Sequence, residues 1–135
     1  MSSKRKVDDS LSNLRKASNN LRDALEVPRD AVLVTEGTIQ RFETVVELVW
    51  KTMQRALEYE GMHAGTPRET MKKGFAAGWL SDEIFWQELL DNRNSSSHEY
   101  LDGELIDRYY EDIVRFHPPI EAFVDFLERR YGPAT

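Results

Sequence analysis

The stretch 32–60, VLVTEGTIQRFETVVELVWKTMQRALEYE, decides the fold because its apolar residues recur at steps of three and four. Steps of that size place side chains on one face of an α-helix, whereas a half-buried strand alternates at every second residue. The residues of this face are Ile39, Phe42, Val45, Val46, Val49, Met53, Ala56 and Leu57. The stretch therefore predicts one long amphipathic helix with an apolar face to bury.

One shorter helix is predicted before this one and another after it. Before it, leucines at heptad positions predict a helix that Pro28 ends. After it, Thr66-Pro67-Arg68-Glu69 has the pattern of a capping box, so a third helix should begin there and Gly78 should close it. The predicted buried residues are Leu11, Leu14, Leu21 and Leu25 in the first helix, and Met71, Phe75 and Ala76 in the third.

The rest of the chain predicts two more helices. Ser81 should cap a fourth helix that ends near Asn92, and a fifth should begin around Asp102. The apolar stripe of the fifth continues through Pro118-Pro119, which predicts one kinked helix rather than two segments. The predicted buried residues are Ile84, Phe85, Leu89 and Leu90 in the fourth helix, and Ile106, Tyr109, Ile113, Phe116, Ile120, Phe123 and Leu127 in the fifth. Without any strand pattern, we expect an all-α, antiparallel up-and-down bundle of four to five helices.

Length, charge and cysteine content limit the classes of protein to consider. The chain has 135 residues, which predicts a single domain over 1–135, with 1–10 expected to be a flexible N-terminus. It has no cysteine, which excludes disulfides, cysteine nucleophiles and thiolate metal sites. Its 24 acidic against 18 basic residues give a net charge of -6, which argues against a broad basic face for nucleic acid. No apolar run approaches membrane length, so a soluble cytoplasmic protein without a membrane partner is expected.

One segment, DNRNSSSHEY at 91–100, offers chemical groups and almost nothing to bury. Arg93 carries a planar set of donors suited to phosphate oxygens, His98 can exchange a proton near neutral pH, and Tyr100 has a phenolic hydroxyl. Composition alone favours a plain solvated loop between the fourth and fifth helices. His63 and His117 are expected to be structural or surface residues, and with no metal-ligand spacing among the histidines, no metal or other cofactor is expected.

The string R-N-x-x-x-H-x-Y formed by Arg93, Asn94, His98 and Tyr100 resembles the R-x-x-x-x-H-x-Y signature of HEPN-domain proteins of the HepT type. From about Leu11 to Tyr131 the chain also resembles the nucleotidyltransferase substrate-binding protein subfamily. The flanking residues that carry this resemblance are RFE at 41–43, EL at 47–48, WK at 50–51, TPR at 66–68, GWL at 78–80, Trp86, and YY at 109–110.

The resemblance implies a HEPN-like helical bundle that forms a homodimer, with the two motif segments facing each other, and a small nucleotidyltransferase as partner. In toxin members the motif is a metal-independent ribonuclease site. His98 would then act as general base or acid, Arg93 as the clamp on the transition state and Asn94 as an orienting hydrogen bonder, with RNA as substrate. The partner would act as antitoxin by transferring AMP to Tyr100.

Other members of such families are described only as substrate-binding or accessory subunits. Asn94 keeps the polar residue usual after the arginine in active members, which favours catalysis. The net charge of -6 counts against strong RNA binding. The sequence leaves both functions open.

Overall fold

The computed structural model describes residues 3–29, 32–99 and 103–132, without the side chains of Val32, 93–99 and Gly103. These ranges contain five helices and no strand, which confirms the predicted all-α class. The helices are α1 (Lys4–Glu26), α2 (Val32–Tyr59), α3 (Pro67–Ala76), α4 (Glu83–Glu99) and α5 (Gly103–Tyr131). None of the helices in the described ranges is both long enough and apolar enough to cross a lipid bilayer.

Ion pairs between the ends of helices show that α2 and α5 run in the same direction. Arg29, just before α2, pairs with Asp107 near the start of α5 at 2.6 Å. Glu60, just after α2, pairs with Arg130 near the end of α5 at 2.6 Å. The two helices therefore have both their starts and their ends side by side.

Helices α1 and α4 run in the opposite direction. Lys4, the first residue of α1, donates a hydrogen bond to the carbonyl of Tyr131 at the end of α5, at 2.7 Å. Along α4, later residues contact earlier positions of α5. These contacts are Glu88 with Arg115 and Asn92 with Asp112. The four long helices thus form the predicted antiparallel bundle, and α3 packs against α2 and α4.

The predicted apolar faces of α2 and α5 form the centre of the core. All eight residues predicted on the α2 face are buried. Helix α5 continues through both prolines, and Phe116 and Ile120 on either side of them are fully buried, so the prediction of one helix is confirmed. The predicted kink in α5 stays a prediction.

Helix α1 begins earlier than the sequence suggested. It starts at Lys4, with Ser3 as N-cap, and Val7 is fully buried. Ser10 is buried as well and its hydroxyl lies 2.6 Å from that of Thr52 on α2. The expectation of a flexible segment over 1–10 is therefore wrong for 4–10, because these residues contribute to the interface between α1 and α2.

The start of α3 confirms half of the predicted capping box. The Thr66 hydroxyl accepts a hydrogen bond from the amide of Glu69 at 3.1 Å. The Glu69 carboxylate reaches back to the amide of Gly65, at 3.3 Å, rather than to that of Thr66. This bond, followed by the one with Lys73, holds the pKa of Glu69 below its usual value.

The end of α3 is the predicted glycine stop. Gly78 has a φ of +81°, a conformation that a side chain would strain. Its amide donates to the carbonyl of Phe75 at 3.0 Å, and the amide of Trp79 donates to that of Gly74 at 2.9 Å. This pair of bonds is a Schellman motif.

Four predictions around α3 and α4 are wrong. Asp82, not Ser81, caps α4, because its carboxylate accepts from the amide of Phe85 at 3.1 Å. Ile84 is 80% exposed, because it lies on the opposite side of the helix from Trp86, which is buried instead. Phe75 on α3 is 44% exposed. Ala76, also predicted to be buried, is exposed.

Candidate functional site

Three of the four motif residues, Arg93, Asn94 and His98, lie on a helix rather than in a loop. Helix α4 extends to Glu99, so the prediction that it ends near Asn92 and leaves a loop over 93–99 is wrong. One physical reason is a contact between α4 and α5 at Asn92, just before the segment that has no apolar residues. The side-chain amide of Asn92 donates to the carboxylate of Asp112 at 2.9 Å.

These three residues lie on the last turns of α4. Arg93 and His98 are five positions apart. Their positions are therefore separated by about 7.5 Å along the axis and by about 140° around it. Positions 94 and 98 differ by four and so share a face. The side chains of Arg93, Asn94 and His98 lie outside the described part of the structure, as does the whole of Tyr100.

A polar ladder between α4 and α5 leads up to the motif. Arg115 donates to Glu88 at 2.5 Å and to Asp112 at 3.3 Å, and Asp112 accepts from Asn92. The bond to Glu88 is the main reason that the pKa of Arg115 lies above its usual value, and the bond to Asp112 acts in the same direction. The ladder holds the α4 backbone immediately before Arg93.

The neighbouring end of the bundle is polar, and its described arginines are paired with carboxylates. Arg29 pairs with Asp107, and its guanidinium carbon lies 4.1 Å from the centre of the Tyr110 ring. Arg108 pairs with Glu104 at 3.4 Å. These pairs leave little positive potential around the described neighbours of α4, which agrees with the net charge of -6.

The two other histidines lie away from the motif in the chain. His117 on α5 lies 3.1 Å from Glu121, and its side chain is 13% exposed. Glu121 also accepts from Ser18 and Arg15 of α1, so His117 belongs to the contact between α1 and α5. The carbonyl of His63 accepts a hydrogen bond from Lys73. In the part of the chain that the structure describes, no three acidic or histidine side chains group as metal ligands would.

An aromatic pocket beside the α3–α4 turn was missed by the sequence analysis. It has a volume of about 430 Å³, and Pro119 of α5 contributes to its wall. Its main lining residues are Trp79, Asp82, Phe85, Trp86, Phe123 and Phe126. The sequence does contain a high density of aromatic residues over 75–86 and 116–126. That density is equally typical of a packed core, and the sequence does not show that the two stretches lie side by side.

Comparison with known proteins identifies a family for this chain and similar folds among solved structures. A family profile described as nucleotidyltransferase substrate binding protein like matches residues 9–129. No curated protein gives a significant match. The crystal structure of a protein from Thermus thermophilus superposes with a TM-score of 0.78 at 23% sequence identity, over 84% of this chain and 98% of that one. At this level of identity the structural match supports the fold alone.

Proposed function

Because the chain belongs to the nucleotidyltransferase substrate-binding-protein-like family, of the HEPN/HepT type, we propose that it acts as the partner of a small nucleotidyltransferase. The family match over 9–129 is the observation that carries this proposal. The match covers the bundle from α1 to nearly the end of α5, including the motif at the end of α4. The family match therefore extends over nearly the whole bundle.

Within this partnership, the motif is a metal-independent ribonuclease site. Cleavage of RNA without a metal needs a base for the 2′-hydroxyl, a cation for the charge on the phosphorane and an acid for the leaving oxygen. His98 serves as base or acid, Arg93 stabilises the phosphorane and Asn94 orients the substrate. The support for these roles is the R-x-x-x-x-H-x-Y spacing itself.

A homodimer completes this site. One motif contains one histidine, so a base and an acid acting together need a second copy of the chain. Positions 93 and 98 are about 140° apart around an α-helix, so the two residues lie on different faces of α4. A two-fold axis that brings two α4 ends together supplies the missing groups. Sedimentation tests this step, and a monomer at micromolar concentration in the absence of partner contradicts it.

Tyr100 is the acceptor of AMP from the partner. It lies two residues after His98, so a nucleotide on its hydroxyl stands beside the catalytic groups. The added phosphate brings about one negative charge close to Arg93 and bulk to the cleft, and both oppose the entry of an RNA phosphate. The partner is therefore the antitoxin. Tyr110 is a poor alternative acceptor, because it is only 8% exposed and lies under Arg29.

A second function is that of a non-catalytic substrate-binding or accessory subunit. The net charge of -6 and the carboxylate-paired arginines around the end of α4 favour it, because both reduce attraction for RNA. Under this function the bundle binds the transferase and the motif cleaves nothing.

One set of measurements separates the two functions. The purified chain is incubated with RNA in the presence of EDTA, alongside Arg93→Ala, His98→Ala and the control Ser96→Ala from the same helical segment. We expect cleavage by the native chain and the control only. Cleavage that EDTA abolishes contradicts the metal-independent site, and an inert native chain that still binds the transferase favours the accessory subunit.

The transfer reaction is tested with the cognate transferase, ATP and magnesium. We expect the mass of the native chain to rise by whole AMP units and that of Tyr100→Phe to stay unchanged. The modified chain should no longer cleave RNA. Modification at another tyrosine shows that Tyr100 is the wrong acceptor, and failure to bind any small nucleotidyltransferase overturns the partnership itself.

A further inference from the structure

The aromatic pocket lies between the turn after α3 and helix α5. Its volume of about 430 Å³ is within the range of small-ligand sites in proteins. Ring centres in its wall stand close together: Trp86 and Phe123 at 5.5 Å, Trp79 and Phe126 at 6.2 Å, and Phe123 and Phe126 at 6.3 Å. Phe85 stands against Trp86 at 5.6 Å. The wall is thus a continuous set of ring faces and edges.

The charge at the pocket is negative. Asp82 is the one ionisable side chain among the described lining residues that is charged at neutral pH. Its Oδ1 atom accepts from the amide of Phe85 at 3.1 Å, which fixes the carboxylate as the N-cap of α4. Asp82 is exposed, and no hydrogen bond to its second oxygen is among the contacts of the described residues. No lysine or arginine is among the described lining residues, and Arg130, which contacts the Trp79 ring, is already paired with Glu60.

Two aromatic residues already contact arginines of the chain itself: Trp79, which lines the pocket, and Phe116, which lies outside it with its ring centre 5.2 Å from that of Phe85. The Arg130 guanidinium carbon lies 5.3 Å from the centre of Trp79, and that of Arg115 lies 4.6 Å from the centre of Phe116. Each arginine is also paired with a carboxylate, Glu60 and Glu88 respectively. Two guanidinium groups of this chain are therefore held by a ring and a carboxylate together, and the lining of the pocket contains both kinds of group.

We propose that this pocket binds an alkyl guanidinium or ammonium group. Ring faces carry a negative quadrupole that attracts cations, and the Asp82 carboxylate adds an ion pair. The net charge of -6 concentrates cations near the surface as well. The group comes either from a free small organic cation or from an arginine or lysine side chain of a protein partner. The pocket contains no residue of the 93–100 motif, so this proposal stands apart from the ribonuclease function.

Matched ligands test the charge requirement. The native chain is titrated with Nα-acetyl-arginine methylamide and, in parallel, with Nα-acetyl-citrulline methylamide, which is similar in shape but neutral. Binding is followed by the NMR signals of the three tryptophan indoles. We expect the arginine compound to shift Trp79 and Trp86, which line the pocket, and to leave Trp50 on α2 unchanged. Equal shifts with citrulline, or no shift with either compound, overturn the proposal.

Matched variants test the role of Asp82. Asp82→Asn removes the charge but keeps an oxygen that can cap α4, because asparagine is as good an N-cap as aspartate. We expect binding about tenfold weaker, from loss of the ion pair in a partly desolvated site. Glu111→Gln, an exposed position on α5 outside the pocket, removes the same charge from the chain and should bind like the native protein. Unchanged affinity in Asp82→Asn contradicts the proposal.

A comparison with agmatine distinguishes the two sources of the cation. Agmatine carries a second cation, whereas Asp82 is the single carboxylate among the described lining residues. A pocket for a protein side chain should therefore bind the blocked arginine at least as tightly as agmatine. If agmatine binds more tightly than the blocked arginine, the ligand of the pocket is a free small cation.

Discussion

Asn92 of α4 and Asp112 of α5 are joined by a hydrogen bond of 2.9 Å, one residue before the arginine of the motif. The other oxygen of Asp112 accepts from Arg115 at 3.3 Å. A single carboxylate therefore connects the end of α4 with the body of the bundle. This connection is a physical reason why a segment without apolar residues stays helical.

Replacing Asp112 by alanine should loosen the end of α4. We expect faster amide hydrogen exchange over 93–99 and a loss of about 1 kcal/mol in the free energy of unfolding, because two part-exposed hydrogen bonds disappear. The neighbouring variant Glu111→Ala, at an exposed position, should leave exchange over 93–99 unchanged. Unaltered exchange in Asp112→Ala would show that the Asn92 contact does not hold this segment.

Two helical glycines should respond in opposite ways to substitution by alanine. A Cβ at Gly74 would overlap the sulfur of Met53 and press on Leu80, whereas one at Gly37 meets nothing within 4 Å. We expect Gly74→Ala to destabilise the fold by about 1–3 kcal/mol through overpacking, and Gly37→Ala to stabilise it by up to about 1 kcal/mol. Urea denaturation measures both changes, and equal effects would contradict the packing of α3 on α2.

Arg15 should be the most important cation for stability in the contact between α1 and α5. It bonds Glu121 at 3.3 Å, Asp125 at 2.5 Å and Glu128 at 2.6 Å, and its side chain is 23% exposed. The bond with Glu128 is the largest cause that raises the pKa of Arg15, so it stays protonated at any working pH. Arg15→Met should cost about 2 kcal/mol at low salt, because three neighbouring carboxylates then repel one another.

The control for this prediction is Arg22→Met, seven residues later on the same helix. Arg22 is 47% exposed and its nearest carboxylate, Asp23, is at 3.9 Å. We expect a change of less than about 0.5 kcal/mol there. High salt should reduce the cost of Arg15→Met, and a cost that does not depend on salt would point to lost packing instead.

Stability should fall at alkaline pH through Tyr131. Burial raises the pKa of its hydroxyl above the usual value of 10.0, against the opposing effect of the hydrogen bond from Arg130. A group with a raised folded pKa contributes stability that is complete below the unfolded pKa and lost as the pH rises through the folded value. Thermal unfolding from pH about 9 to 11 should show a smaller decline for Tyr131→Phe than for the native chain. Tyr59→Phe, at a residue 40% exposed, should decline like the native chain.

Periodicity predicted the elements that carry large apolar faces. All eight predicted residues of the α2 face are buried, and so are five of the seven on α5, with Ile106 and Tyr109 partly buried. Apolar side chains repeated at helical spacing are buried against another helix, which is why this pattern is reliable. Local capping signals correctly predicted the N-cap at Thr66 and the glycine stop at Gly78, because these hydrogen bonds and backbone angles depend on residues close by in the chain. They failed at Ser81 because Asp82, next to it, is an equally good cap.

The end of α4 could not be predicted from local sequence, because the hydrogen bond that joins it to the bundle is made with a residue twenty positions away in the chain. The sequence around Arg93 and His98 has little apolar character and reads as a loop by composition. The Asn92–Asp112 bond appears only after α4 and α5 are side by side. The candidate site residues themselves came from the spacing of the motif, and their side chains are not among those that the structure describes.

The sequence by itself determined the helical class, the two main core faces and the identity of the motif residues, since each depends on spacing along a single helix or on the order of a few residues. Only the tertiary structure decided which helices run side by side, that the motif residues 93–99 continue α4, and that two aromatic stretches enclose a pocket beside Asp82. The physical reason is the range of the interactions. Backbone periodicity and caps act within a few residues, whereas ion pairs and ring contacts form between segments whose proximity is set by burial of the whole core.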